Sequence, residues 1–230
     1  GLRGGVSSRL GAPPSTAAFS YGNITAVEQP TSAIVRESKV WNSRGYLPHY
    51  DESGAIQVLT FRLADSLPQA KLLELSDTSL KLTSLQKRNR LDIYLDSGWG
   101  QCLFKDERVA TIAQNALLHF DRQRYNLLAW VIMPNHVHAL TELNRGHTVA
   151  KVMHSWKSFI AHEVNALLQR SGPLFQRDYH DRFVRNEDHL ARAIEYIHYN
   201  PVKAKLCSAP KDWKFSSARY GAVKDKAGVT

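Results

Sequence analysis

Residues 125–143 constrain this chain more than any other stretch. Two apolar runs, YNLLAWVIM (125–133) and HVHALTEL (136–143), are separated only by Pro134 and Asn135. Apolar runs of that length, rich in β-branched and aromatic residues and joined by a two-residue turn, predict an antiparallel hairpin whose second strand begins with histidine. Around it the chain reads in order. AIQVLTFRL (55–63) alternates like a strand and follows the turn signal of residues 51–54. Residues 67–90 predict a helix in two pieces with Leu72, Leu75, Leu82 and Leu85 on its apolar face, and Gly-Trp-Gly at 98–100 marks a loop. A helix over 106–120 opens with Asp106 and Glu107, where the helix dipole favours carboxylates. Over 148–169, Val149, Val152, Trp156, Phe159, Ile160, Val164 and Leu167 recur at helical spacing. An extended piece over 175–185 leads to a helix over 187–199, capped by Asn186 and stopped by Pro201. This order describes an α+β domain, a central antiparallel sheet with helices packed on it.

Residues 1–40, rich in Gly, Ser, Ala and Pro and without the charged start and apolar run of a secretory signal, are expected to form a flexible leader. The domain is expected over 41–205, with a helical insertion at about 67–105. Residues 206–230 form a tail in which Trp213 and Phe215 pack on the domain or extend its surface. A hydrophobic fraction of 43% excludes wholesale disorder. No stretch approaches the ~18 uncharged apolar residues of a membrane span. Two cysteines are too few for a disulfide framework or a Cys-rich zinc site, so a reducing, intracellular setting is expected. The net charge of +9 favours phosphate backbones or anionic surfaces, and six of those charges fall after residue 150.

Three constellations carry possible chemistry. In Asn135-His136-Val137-His138, strand alternation puts both imidazoles on one face, where they could share a metal or simply face solvent. At the end of the last helix, Tyr196 and Asn200 share a face, while Tyr199 lies on another. Read alone, Tyr196 is a packing residue and Asn200 a C-cap before Pro201. FQRDYHDRFVR (175–185) is basic and aromatic. That composition suits either a distorted or single-stranded nucleic acid or a charge-protected edge strand, with His180 read as a strand-surface residue.

Taken together, AWVIMPNHVHAL (129–140), FQRDYHDRFVRNEDHLARAIEYIHYNPVKA (175–204) and RGYLPHYD (44–51) resemble the single-tyrosine HUH transposases, and within them the REP-associated tyrosine transposases. The resemblance implies an RNA-recognition or ferredoxin-like fold. His136 and His138 then match the metal-binding pair, Tyr196 the nucleophile, and Asn200 the polar residue completing a Mg²⁺ or Mn²⁺ site. The implied reaction is attack of the tyrosine on a DNA phosphorus, giving a 5′-phosphotyrosine and a free 3′-OH. The implied substrate is single-stranded or hairpin DNA of the repetitive palindromic type. Candidate backbone contacts are Lys151, Lys157, Arg177, Arg182, Arg185, Lys203 and Lys205. The protein would act as a monomer or homodimer in the cytoplasm, associated with the nucleoid. Two positions depart from the family pattern: Phe175 stands where Trp is usual, and Lys205 where Gly commonly follows the Asn-Pro-Val turn. A catalytically silent nucleic-acid-binding module of the same fold, and an RNA-binding domain, are the alternatives. The base that takes the tyrosine's proton is not evident from the sequence.

Overall fold

The computed structural model describes residues 41–43, 48–50 and 54–221. The expected leader over 1–40, the family-like residues 44–47 and 51, and tail residues 222–230 lie outside them. A short hairpin, β1 (Trp41–Ser43) with β2 (Pro48–Tyr50), precedes the domain core. The core runs β3 (Ile56–Arg62), α1 (Gln69–Ser76), α2 (Ser84–Asp96), α3 (Glu107–His119), β4 (Tyr125–Ile132), β5 (His136–Leu143), α4 (Val149–Leu167), β6 (His180–Phe183) and α5 (Glu187–Lys203). The sheet is antiparallel throughout, in the order β4-β5-β3-β6. Leaving out α1, α2 and α5, the order βαββαβ with this strand arrangement is the ferredoxin-like fold.

Strand pleat assigns each side chain to one of two cores. Leu59, Phe61, Val137, Ala139 and Leu143 pack with Val109, Ala113, Val152, Trp156 and Ile160 of α3 and α4. Val58, Val131, Leu140 and Val184 point to the opposite face, against Ala193 and Ile197 of α5. Phe175 packs edge-on to Phe61 with ring centroids 5.3 Å apart, so the exchange of Trp for Phe keeps an aromatic anchor before β6. Phe215 is buried and the Trp213 indole donates to the Ile132 carbonyl at 2.9 Å, so the start of the tail packs against β4.

Several sequence expectations are corrected here. Helix α2 extends to Asp96 and buries Leu91 and Leu95, while Leu85 is exposed. Phe159 and Leu167 of α4 also face solvent, because the sheet covers a narrower stripe than the periodicity suggested. Pro201 does not stop α5; it lies inside the last turn, buried. A proline there removes one amide, and the ladder resumes at once with Ala204 N–H donating to the Asn200 carbonyl at 3.0 Å.

The helix then closes in a Schellman turn. Leu206 N–H donates to Pro201 O and Lys205 N–H to Val202 O, both at 2.9 Å. Lys205 holds the left-handed position at φ 57°, where glycine is favoured. The chain thus keeps the turn despite its departure from the family's glycine. Lys205→Gly should raise unfolding stability by about 1 kcal/mol, read by denaturant titration; a loss of stability would show that the lysine's contacts outweigh its backbone strain.

Candidate active site

The pleat of β5 turns His136 and His138 toward α5, and both are only 1% exposed. Their rings meet edge to face at 4.8 Å. His136 Nδ1 lies 2.8 Å from Asn135 Oδ1, and the same amide's Nδ2 donates to the Trp99 carbonyl at 3.0 Å. That second bond orients the amide, so His136 carries its proton on Nδ1 and offers a lone pair at Nε2. Gly100 permits the loop to sit there: at φ +85°, a Cβ would fall 2.5 Å from the Asp65 carbonyl oxygen. His138 Nδ1 is 2.8 Å from Thr60 Oγ1, its register partner on β3. Burial, reinforced by His138, holds the His136 ring well below its usual pKa. Burial, followed by the charge of His180, pushes His138 down to about 3. Both imidazoles are therefore neutral at physiological pH.

Helix α5 supplies the other half. Ala193 and Ile197 anchor it to the sheet, which places Tyr196 against His138 with ring centroids 5.3 Å apart. Asn200, one turn on, is also buried. It is not the C-cap; that position is Ala204. Tyr199 points away and is exposed. The structure thus brings His136, His138, Tyr196 and Asn200 into one cluster. His136 Nε2, His138 Nε2 and Asn200 Oδ1 are all buried without a hydrogen-bond partner. Leaving such an atom unmet costs about 1–3 kcal/mol, so three in one cluster call for a further ligand. Two neutral imidazoles and an amide oxygen form a donor set that a divalent cation accepts. Among the described residues no group of three His, Cys, Asp or Glu side chains stands together as a metal cluster.

The Tyr196 phenol is held strongly protonated. Burial raises its pKa first, then the carboxylates of Asp92 and Asp96 on α2. Asp92 favours the protonated phenol and the Asn200 amide opposes it, and the phenolic oxygen itself is buried without a hydrogen-bond partner. Lys203 Nζ lies over the same ring, 5.1 Å from its centroid.

Beside Tyr196 opens a cavity of about 470 Å³ lined by Arg182, Arg185, Asn186, His189 and Arg192. Arg182 and Arg185 were expected near the site and are there. Arg192 was missed, although it stands four residues before Tyr196 on the same helical face. Arg177 and Lys205 are exposed. Lys151 is exposed on α4, across the sheet from Tyr196, so the structure does not bring it to the site. Lys157 is not available as imagined: its ammonium donates to the Gln176 and Arg177 carbonyls at 2.6 and 2.7 Å, fastening the segment before β6.

Comparison with known proteins finds transposases among those this chain resembles. Residues 101–200, which include the whole His-His-Tyr-Asn cluster, match the family described as IS200-like transposases. More particularly, the chain is similar to REP-associated tyrosine transposases, as its motifs indicated. A Haemophilus influenzae protein assigned by name to that group is 28% identical over 103 residues, 40% of this chain and 58% of the relative. The REP-associated tyrosine transposase of Escherichia coli is 25% identical over 105 residues, 45% of this chain and 61% of its own length. The chain thus spans about three-fifths of the curated relatives it matches. A solved REP-associated tyrosine transposase bound to a REP hairpin shares the fold, with a TM-score of 0.53 at 18% identity, covering 76% of this chain and 84% of that one.

Proposed function

We propose that this chain nicks and rejoins single-stranded or hairpin DNA of the REP type, with Tyr196 as the nucleophile. The observation that carries the reading is a tyrosine packed on two neutral, buried histidines and bordering an arginine-lined cavity. The relatives' names and the hairpin bound to the structural neighbour support the substrate class. Phenol and arginines divide the work. Arg182, Arg185 and Arg192 attract and orient the phosphate backbone, and the phenolic oxygen attacks one phosphorus. His136, His138 and Asn200 would hold a divalent cation, Mg²⁺ or Mn²⁺, which polarises a non-bridging phosphate oxygen when bound. Forming a phosphotyrosine ester conserves the phosphodiester's energy, so the strand can be rejoined without a nucleotide cofactor. The three unmet buried lone pairs weigh against a silent binding module, which has no use for their cost. Among the described residues no helix is long and apolar enough to cross a membrane.

The polarity of the nick provides the test. Hairpin oligonucleotides with single-stranded flanks are incubated with the protein and Mn²⁺, labelled at one end or the other, and run on a denaturing gel. A 3′-labelled strand should shift into a protease-sensitive covalent band, while a 5′-labelled strand should be released with a free 3′-OH. No covalent band across a panel of hairpins would defeat the reading; transfer of the 5′-labelled strand would reverse the proposed polarity.

A further inference from the structure

We propose that Trp99 stacks on an unpaired base of the DNA strand beside the scissile phosphate. This rests on the strand-transfer reading above, and adds a contact to a base where the arginines supply contacts to phosphate. Trp130 and Trp156 are 1% exposed and Trp213 donates to the Ile132 carbonyl, whereas Trp99 is 45% exposed. Among the described residues neither a hydrogen bond nor a ring contact engages its indole. Its backbone, by contrast, is held from several sides. The Trp99 carbonyl accepts from Asn135 Nδ2 at 3.0 Å, and Gln101 N–H donates to the Asp65 carboxylate at 2.8 Å. The buried Cys102 thiol donates to the Gly98 carbonyl at 3.2 Å. Gly98 and Gly100, at φ +70° and +85°, turn the chain tightly on either side. An exposed ring on a fixed backbone gives up little conformational freedom when a base covers it, as a stacking platform requires.

The loop also stands at the site. The Asn135 amide that donates to the Trp99 carbonyl holds the His136 ring through its oxygen, so one side chain joins the loop to a candidate cation ligand. Ser97 and Gly98 share a cleft of about 250 Å³ with Lys105, Met133, Pro134 and Ala204. The arginine cavity flanks Tyr196 from the first half of α5, and this cleft meets the helix's end, so the two lie to either side of the tyrosine. Lys105 and Asp96 bring a cation and a carboxyl group to the cleft, so it lacks the uniformly basic lining of the arginine cavity. What this flank offers a strand is the face of the indole. Every base has a π-face, so the contact depends on whether a base is present more than on which one.

The test is a binding cycle, read by fluorescence anisotropy in EDTA so that cleavage does not intervene. Trp99→Ala should weaken binding of a hairpin with single-stranded flanks at least about fivefold. Trp99→Leu should lose as much, and Trp99→Phe, which keeps a π-face, less. A blunt hairpin without flanks should bind all four chains alike. An abasic site is then walked along the flanks. At one position it should cost the unaltered chain at least about fivefold and Trp99→Ala less than about twofold, because the partner of the missing base is already gone. Trp99→Leu carries the same comparison if the Ala variant does not fold. A structural role for the indole would weaken the blunt hairpin equally or leave the abasic penalties the same in both chains. Either result overturns the proposal, as does a Trp99→Ala affinity within about twofold of the unaltered chain. An unaltered chain that binds no flanked hairpin overturns the strand-transfer reading first, and this assignment with it.

Discussion

Tyr196→Phe should abolish the covalent adduct, lowering its rate at least about a thousandfold, while leaving hairpin binding within a small factor of its original strength. The structure makes this substitution unusually clean. The phenolic oxygen is buried, feels the charge of two carboxylates and has no hydrogen-bond partner, so its removal sacrifices little. Stability should stay within about 1 kcal/mol. The ring remains, and with it the edge contact to His138 and the seat beneath Lys203. Arg182, Arg185 and Arg192 still line the cavity, so the phosphate contacts proposed for them should survive. A gel-shift titration read beside the denaturing gel separates the two effects. Persistence of the adduct in Tyr196→Phe would move the nucleophile elsewhere. Loss of binding together with the adduct would show that the phenol anchors DNA rather than attacks it.

The part of the site legible in the sequence is the part governed by local periodicity. Alternation along β5 sufficed to put His136 and His138 on one face, and the four-residue helical step sufficed to align Tyr196 with Asn200. The Asn186 cap, which accepts from His189 N–H at 2.9 Å, marked where α5 begins and so fixed the phase of that face. Local rules failed where tertiary packing decides. Leu82 and Leu85 looked like the inner face of the insertion, yet the helix is held by Leu91 and Leu95. That register brings the charges of Asp92 and Asp96 to bear on a tyrosine a hundred or more positions later, a meeting that no local pattern encodes. Proline at 201 was read as a stop, but its missing amide falls in the last turn, where the next residues restore the ladder. Charge was the poorest guide to individual contacts. Lys157, basic and near the site in sequence, spends its donors on two carbonyls, whereas Arg192 lines the cavity.

His138→Ala carries the second large effect. The imidazole's Nε2 carries one of three buried lone pairs without a partner, and burial keeps it unprotonated down to about pH 3, so protons do not compete for it near neutrality. Its removal should weaken Mn²⁺ binding at least about a hundredfold in calorimetry without DNA present, because two of the three donors are a poor set for a hard cation. Adduct formation should fall with it, while hairpin binding through the arginines persists. Thr60→Val keeps the imidazole but removes the partner of its Nδ1, and with it the restraint on ring orientation. A loss of about tenfold in Mn²⁺ affinity is expected there, the usual scale for such outer partners. The graded order, Ala far below Val and Val below the unaltered chain, distinguishes a cation site from a packing contact. If the histidines served packing alone, Mn²⁺ affinity would not follow that order, and unaltered Mn²⁺ binding in His138→Ala would remove the cation from this site.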